Sequence, residues 1–157
     1  KILDGGFHMW LKKKYELESG LKKNKYSKSY TQISMANLII NQSSLKKEIN
    51  TNKSIIIDAR PEARFKGEVE EPRPNLKKGN IKNSINIFFG FITNNLGYLK
   101  TKNDLIKIFK RLSKKKNVIC YCGSGITACN IIFVLYILNF NKIKLYDGSW
   151  AEWGKIK

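Results

Sequence analysis

Four short runs of β-branched and apolar residues alternate with helical segments, and this alternation constrains the fold more than any other feature. The runs cover residues 54–58, 84–88, 118–121 and 143–146. The predicted helices are 38–49, a short helix opening at Pro61, a helix capped by Thr101, and 127–138. Strands that alternate with helices favour an α/β fold with a parallel sheet and helices on both faces. Ligands of such sheets bind at the carboxyl ends of the strands.

A nine-residue pattern occurs twice, at 2–10 and at 145–153. Both copies read as two apolar residues, Asp-Gly, a small residue, an aromatic residue, two others and Trp. Each copy predicts a short buried strand, a glycine turn and the start of an amphipathic helix. The copies lie about one domain apart, so we expect residues 1–14 to close a preceding domain. Residues 15–30 are then a polar linker, and residues 31–157 form the second domain.

The formal net charge of +18 suggests a polyanionic partner at first. Only four of the 30 basic residues are arginine, and the lysines are scattered among abundant Asn and Ile, as in proteins from AT-rich genomes. No helix-turn-helix, RNA-recognition or zinc-finger motif accompanies them. We therefore expect a solvated surface with no specific nucleic-acid partner, although a nucleic-acid or anionic-membrane surface remains the alternative. The longest apolar run, 128–140, is too short to span a membrane.

The residues that carry chemistry lie in one loop, which runs from the third predicted strand into a helix. Its sequence is Cys122-Gly123-Ser124-Gly125-Ile126-Thr127. The glycines allow backbone N–H groups to turn inward, and the helix start behind them favours an anion at the loop centre. Such a loop would stabilise the thiolate of Cys122 as a nucleophile. The alternative is a buried cysteine beside a flexible turn.

Spacing argues against other cysteine chemistries. A cysteine phosphatase needs Arg where Ala128 stands, a thioredoxin-like site needs Cys-x-x-Cys, and no Gly-Lys-Ser/Thr phosphate loop is present. The three cysteines and His8 lack the spacing of a zinc site, and the sequence implies no cofactor. Cys120 and Cys129 are predicted to be small packed hydrophobic residues.

Three of the four arginines fall at 60, 64 and 73, in a chain that otherwise uses lysine. A guanidinium binds a carboxylate at two points, which an ammonium cannot do. Arg60 follows the strand acid Asp58 and is interpreted as its structural partner. Arg64 and Arg73 lie in a loop-rich segment and are the candidates for binding a small carboxylate substrate. Ion pairs with the nearby glutamates are the alternative.

Three segments resemble the catalytic domain of two-domain sulfurtransferases of the rhodanese superfamily. They are Asp-Ala-Arg-Pro-Glu-Ala-Arg-Phe-Lys-Gly-Glu-Val-Glu-Glu-Pro-Arg-Pro (58–74), Cys-Gly-Ser-Gly-Ile-Thr-Ala-Cys (122–129) and Tyr-Asp-Gly-Ser-Trp-Ala-Glu-Trp (146–153). The loop resembles the mercaptopyruvate-specific branch more than the thiosulfate-specific branch, which usually has Arg and Lys after the cysteine. By this resemblance, residues 1–14 are the end of an inactive rhodanese-like domain, and 31–157 is the catalytic domain.

The resemblance implies a mechanism with a persulfide on Cys122. Sulfur passes from 3-mercaptopyruvate, or thiosulfate, to cyanide or a thiol acceptor such as thioredoxin. Arg64 and Arg73 would bind the carboxylate. The remaining loop residues would bind the substrate through side chains or backbone amides: Gly123, Ser124, Gly125, Ile126 and Thr127.

The resemblance further implies a cytoplasmic or mitochondrial location and a need for the absent N-terminal domain. Asn80 and Phe88 depart from the usual His and Pro of the family. A noncatalytic interaction module and a persulfide-relay domain are the alternative functions.

Overall fold

Four parallel strands form a single sheet in the computed structural model, which describes residues 2–21, 36–51 and 53–156. The strands are β1 (Ser54–Asp58), β2 (Ser84–Asn86), β3 (Asn117–Tyr121) and β4 (Ile143–Leu145). Their order is β2-β1-β3-β4, and every pairing is parallel. The predicted α/β class with a parallel sheet is therefore confirmed, and β1 has the bounds expected from its β-branched run.

Helices connect the strands and cover the sheet. They are α1 (Gly6–Lys12), α2 (Gln42–Thr51), α3 (Glu62–Lys66), α4 (Lys102–Phe109), α5 (Ile126–Ile137) and α6 (Ser149–Trp153). Two 3₁₀ helices lie at Ala36–Leu38 and Phe89–Ile92. Within the described ranges, no helix has the length and apolar character that crossing a bilayer requires.

The two faces of the sheet bury separate apolar clusters because successive strand residues point to opposite sides. On one side, Ile57, Val118 and Cys120 pack with residues of α4 and α5. On the other, Ile56 and Ile119 pack with residues of α2 and α6. Each fully buried aliphatic side chain contributes about 1.5–3 kcal/mol, so both layers fix the sheet that carries the site.

The predicted helix 38–49 differs from the structure at its start. A 3₁₀ turn ends at Leu38, and Ile40 then donates its N–H to the carbonyl of Leu145 at the edge of β4. The α-helix begins only at Gln42, since the side chain of Asn41 accepts the N–H of Ser44 at 2.9 Å and caps it. The second strand is also shorter than predicted, ending at Asn86.

The first copy of the repeated pattern forms a glycine turn and a short helix, as its sequence predicts. Gly5 has φ +80°, and α1 follows directly. The expected buried strand is wrong, however, because Ile2 and Leu3 are 71% and 53% exposed and belong to no strand. Asp4 instead accepts the N–H of Leu99 at 2.8 Å.

The expected linker 15–30 is only partly described. Its residues 15–21 form no helix or strand and are exposed. Residues 22–30 lie outside the described ranges, as do 31–35 at the start of the expected second domain.

Candidate active site

Cys122 follows β3 directly, at the carboxyl end of a strand that lies between β1 and β4. Its side chain is 2% exposed and forms part of the wall of a cleft of about 490 Å³. The cleft is also lined by Arg60, Pro61, Arg64, Pro72, Arg73, Phe89, Gly123, Ser124, Ile126 and Thr127. The topology thus brings seven of the eight predicted site residues to one cleft, and Gly125, the eighth, lies within the same loop.

The turn before α6 supports the backbone of the cysteine loop. Ser149 Oγ accepts the N–H of Cys122 at 3.1 Å, and the N–H of Trp150 binds the Cys122 carbonyl at 2.9 Å. The N–H of Ala151 binds the carbonyl of Gly123, also at 2.9 Å. The sequence did not identify Ser149 as part of the site, because the segment that contains it indicated only a domain boundary and a family resemblance.

Gly125 allows the chain to turn from the strand into α5. Its φ is +85°, and a Cβ there would lie 2.8 Å from Asp147 Oδ1. Among the described residues, no acceptor takes the N–H groups of 123–127. Free N–H groups at the start of a helix favour an anion, as the loop sequence predicts.

The side chains of the loop differ in exposure. Ser124 and Thr127 are half-buried and line the cleft, whereas Ile126 is 76% exposed at its mouth. Two hydroxyl groups are therefore available to a ligand that reaches Cys122.

Arg60 is the structural partner of Asp58, as the sequence indicates. Its guanidinium is fully buried, makes several hydrogen bonds to the Asp58 carboxylate and lies 4.3 Å from the centre of the Trp150 ring. Burial acts to lower the pKa of Arg60, but the hydrogen bond and charge of Asp58 outweigh it, so this pKa lies above its ordinary value.

Arg64 and Arg73 both line the cleft but differ in exposure and in ion pairing. Arg64 is 20% exposed and pairs with Glu71, so the ion-pair alternative holds for this residue. It also lies over the loop, with Nη2 3.1 Å from the position that a Cβ on Gly123 would take. Arg73 is exposed and makes no ion pair with any described residue.

The other two cysteines do not line the cleft. Cys120 is fully buried, and desolvation raises the pKa of its thiol. Cys129 is exposed, so its prediction as a packed hydrophobic residue is wrong; it lies on α5, and its thiol donates to the carbonyl of Gly125. Desolvation, then the charges of Cys122 and Asp147, raise the pKa of Cys129.

Two further residues test the resemblance at positions away from the chemistry. Asn80 is exposed and donates to the carbonyl of Phe65, and Phe88 precedes the second 3₁₀ helix. Neither lines the cleft. In the described part of the chain, no three His, Cys, Asp or Glu side chains are placed to bind a metal ion.

A parallel α/β sheet with a cysteine at the mouth of a central strand, followed by a glycine loop and a helix, defines a class of domain that presents a thiol to an anion. Residues 41–156 match the family described as "Rhodanese-like domain", and the chain belongs to that family. The predicted membership of the rhodanese superfamily is therefore confirmed.

Curated relatives and solved structures agree with this assignment. The 3-mercaptopyruvate sulfurtransferase of Escherichia coli K12 is 35% identical over 98% of this chain and 54% of its own length. The human enzyme of that name is 30% identical over 97% of this chain and 52% of its own length. The crystal structure of SseA from Escherichia coli superposes with a TM-score of 0.76 at 32% identity, covering 94% of this chain and 55% of that one. The chain spans about half the length of these relatives.

Proposed function

We propose that the protein is a sulfurtransferase that moves sulfane sulfur from 3-mercaptopyruvate, with thiosulfate as second choice, to a thiol or cyanide acceptor. One observation carries the proposal: Cys122 shares its cleft with three arginines and leads from a strand into a loop whose N–H groups at 123–127 have no acceptor among the described residues. The names of the relatives support the same chemistry.

In the first step, the Cys122 thiolate attacks the sulfur of mercaptopyruvate. An S–S bond forms as the C–S bond of the substrate breaks. The electron pair of that bond leaves with pyruvate as its enolate, which then takes a proton. Cys122 retains a persulfide whose charge the loop amides stabilise.

In the second step, the thiolate of an acceptor attacks the outer sulfur. The S–S bond of the persulfide breaks, and its electron pair returns to Cys122 as the thiolate. Arg64 and Arg73 bind the substrate carboxylate, and Ser124 and Thr127 donate hydrogen bonds to the substrate or its sulfur. The backbone of Gly123, Gly125 and Ile126 supplies amides.

Replacing the nucleophile tests this proposal. We expect Cys122→Ser to abolish pyruvate release from mercaptopyruvate, since a serine hydroxyl cannot form a persulfide, while circular dichroism shows an intact fold. Cys129→Ser is the matched control and should retain turnover, because Cys129 lies outside the cleft. Pyruvate release by Cys122→Ser at the wild-type rate would exclude the mechanism.

The proposal extends to the wider molecule. The relatives are about twice as long as this chain, which supports a preceding inactive rhodanese-like domain that residues 1–14 would close. Thioredoxin as the acceptor and a cytoplasmic or mitochondrial location complete the proposal. Mercaptopyruvate and thiosulfate turnover by the full-length protein, with thioredoxin or cyanide, tests both the donor and the acceptor.

A further inference from the structure

The carboxylate of Glu71 joins two arginines beside the cleft. Its side chain is 2% exposed. Oε1 accepts from Arg60 Nη1 at 2.8 Å and from Arg64 Nε at 3.3 Å, and Oε2 accepts from Arg64 Nη2. Contact at two points fixes the plane of a guanidinium as well as its position.

These contacts are part of a continuous network of contacts that includes the cysteine loop. Arg60 stacks on the ring of Trp150, whose backbone N–H binds the carbonyl of Cys122. At the other end, Arg64 lies against Gly123, the residue after the cysteine. Glu71 therefore links Arg64, which contacts the loop at Gly123, to Arg60 and Trp150, which support the loop at Cys122.

Arg60 and Arg64 depend on Glu71 to different degrees. Arg60 also binds Asp58 and the carbonyl of Gly79, so it keeps a carboxylate partner without Glu71. For Arg64, Glu71 is the one carboxylate partner among the described residues. Removing the Glu71 charge thus acts mainly on Arg64.

The geometry leaves one nitrogen of Arg64 available. Nε and Nη2 bind Glu71, whereas Nη1 has no acceptor in the described part of the chain and lies 3.7 Å from the position of a Cβ on Gly123. A small carboxylate entering the cleft would meet Nη1 beside the loop and Arg73, which also lines the cleft.

We propose that Glu71 is a positioning residue that orients Arg64 so that a carboxylate is bound at a fixed distance from the Cys122 sulfur. The inference deepens the proposed function, because it identifies what sets the position of the substrate anion. It does not require the substrate to be mercaptopyruvate.

Two alkylating reagents of nearly equal shape test the proposal in the full-length protein. Iodoacetate carries a carboxylate and iodoacetamide does not, so the ratio of their rates at Cys122, normalised to a free thiol, measures carboxylate binding. Mass spectrometry of the Cys122 peptide separates this reaction from that of other cysteines. We expect Glu71→Gln to lower the ratio about tenfold, the usual effect of losing a hydrogen bond to a charged group.

Glu70→Gln is the matched control, because Glu70 is 79% exposed and pairs with Lys78 at the surface. It should leave the ratio unchanged. Arg64→Ala should lower the ratio, and adding Glu71→Gln to it should produce no further loss, since Glu71 acts through Arg64. An unchanged ratio in Glu71→Gln, or additive losses in the double variant, overturns the proposal.

The proposal can still be tested if Glu71→Gln fails to fold. If Glu71→Gln melts below the assay temperature, Glu71→Asp keeps the negative charge and withdraws the carboxylate from Arg64 by one methylene. The ratio must then fall in Glu71→Asp, and a wild-type ratio overturns the proposal. Wild-type protein that shows the carboxylate preference yet releases no pyruvate from mercaptopyruvate contradicts the proposed function and leaves the role of Glu71 standing.

Discussion

Ser149 shows how one buried residue can support the cysteine loop without lining the cleft. It is fully buried and has a φ of +49°, which costs a non-glycine residue about 1–3 kcal/mol. Its hydroxyl accepts the N–H of Cys122 and donates to the carbonyl of Tyr146 at 2.8 Å. The strained conformation of Ser149 persists because these two hydrogen bonds connect the cysteine loop to the end of β4.

Two substitutions separate strain from hydrogen bonding at this residue. Ser149→Ala keeps the strain and leaves the buried N–H of Cys122 without an acceptor, so unfolding in urea should show a loss of about 1–3 kcal/mol. Ser149→Gly loses the same hydrogen bond but relaxes the backbone, so its loss should be about 1 kcal/mol smaller. The exposed Ser113→Ala is the control, and equal stability of the two Ser149 variants would show that the strain is unimportant.

At the scale of the element, a side-chain hydrogen bond marks the start of α4. Thr101 Oγ1 accepts the N–H of Asp104 and donates to its carboxylate at 2.7 Å. Lys107 adds an ion pair to the same carboxylate. The Thr101 hydrogen bond, followed by Lys107, lowers the pKa of Asp104 below its ordinary 3.8.

The cap of α4 predicts both a stability loss and its pH dependence. Thr101→Ala should lower the free energy of unfolding by about 1 kcal/mol at neutral pH. The pKa of Asp104 is depressed in the folded protein. The contribution of its charge to stability is therefore complete above pH 3.8 and disappears as the pH falls through the folded pKa. The stability difference between wild type and Asp104→Asn should therefore shrink in acid, as chemical denaturation at several pH values can measure. A difference that grows in acid would contradict the depressed pKa.

Short-range sequence patterns predicted much of this architecture, and long-range contacts account for what they missed. The β-branched run 54–58 and the cap at Thr101 are local, so both were predictable. The later start of α2 depends on Ile40 pairing with Leu145, a residue distant in sequence. The pairing of Arg64 with Glu71 was only one of several ion pairs open to the sequence, since three neighbouring glutamates compete for it.

At the scale of the whole molecule, several lysines share one end of the sheet. Five lysines directly precede strands and therefore lie at the amino-terminal end of the parallel sheet: Lys53, Lys142 and the run Lys114–Lys116. Cys122 lies at the carboxyl end. These lysines thus lie at the end of the sheet that takes no part in the proposed chemistry.

This arrangement predicts salt-sensitive binding to polyanions that leaves the cysteine unaffected. The protein should be retained on heparin at low salt and released near physiological salt, because exposed lysines bind through counterion release. Replacing Lys114, Lys115 and Lys116 by Gln should lower the eluting salt concentration, while the iodoacetamide rate at Cys122 stays constant. The same change at Lys12, Lys13 and Lys14 is the charge-matched control. Heparin binding that persists well above physiological salt would instead indicate a dedicated polyanion site.

The support of the cysteine loop by Ser149, Trp150 and Ala151 has a consequence for biosynthesis. These residues lie 27 or more positions after Cys122 in the sequence. A nascent chain that has emerged only as far as Cys122 therefore lacks all of those contacts. The loop therefore gains this backbone support only after translation has passed the α6 turn. Ribosome-bound intermediates that stop short of that turn lack the hydrogen bonds that support the cysteine loop, and only chains that have passed the last strand can form them.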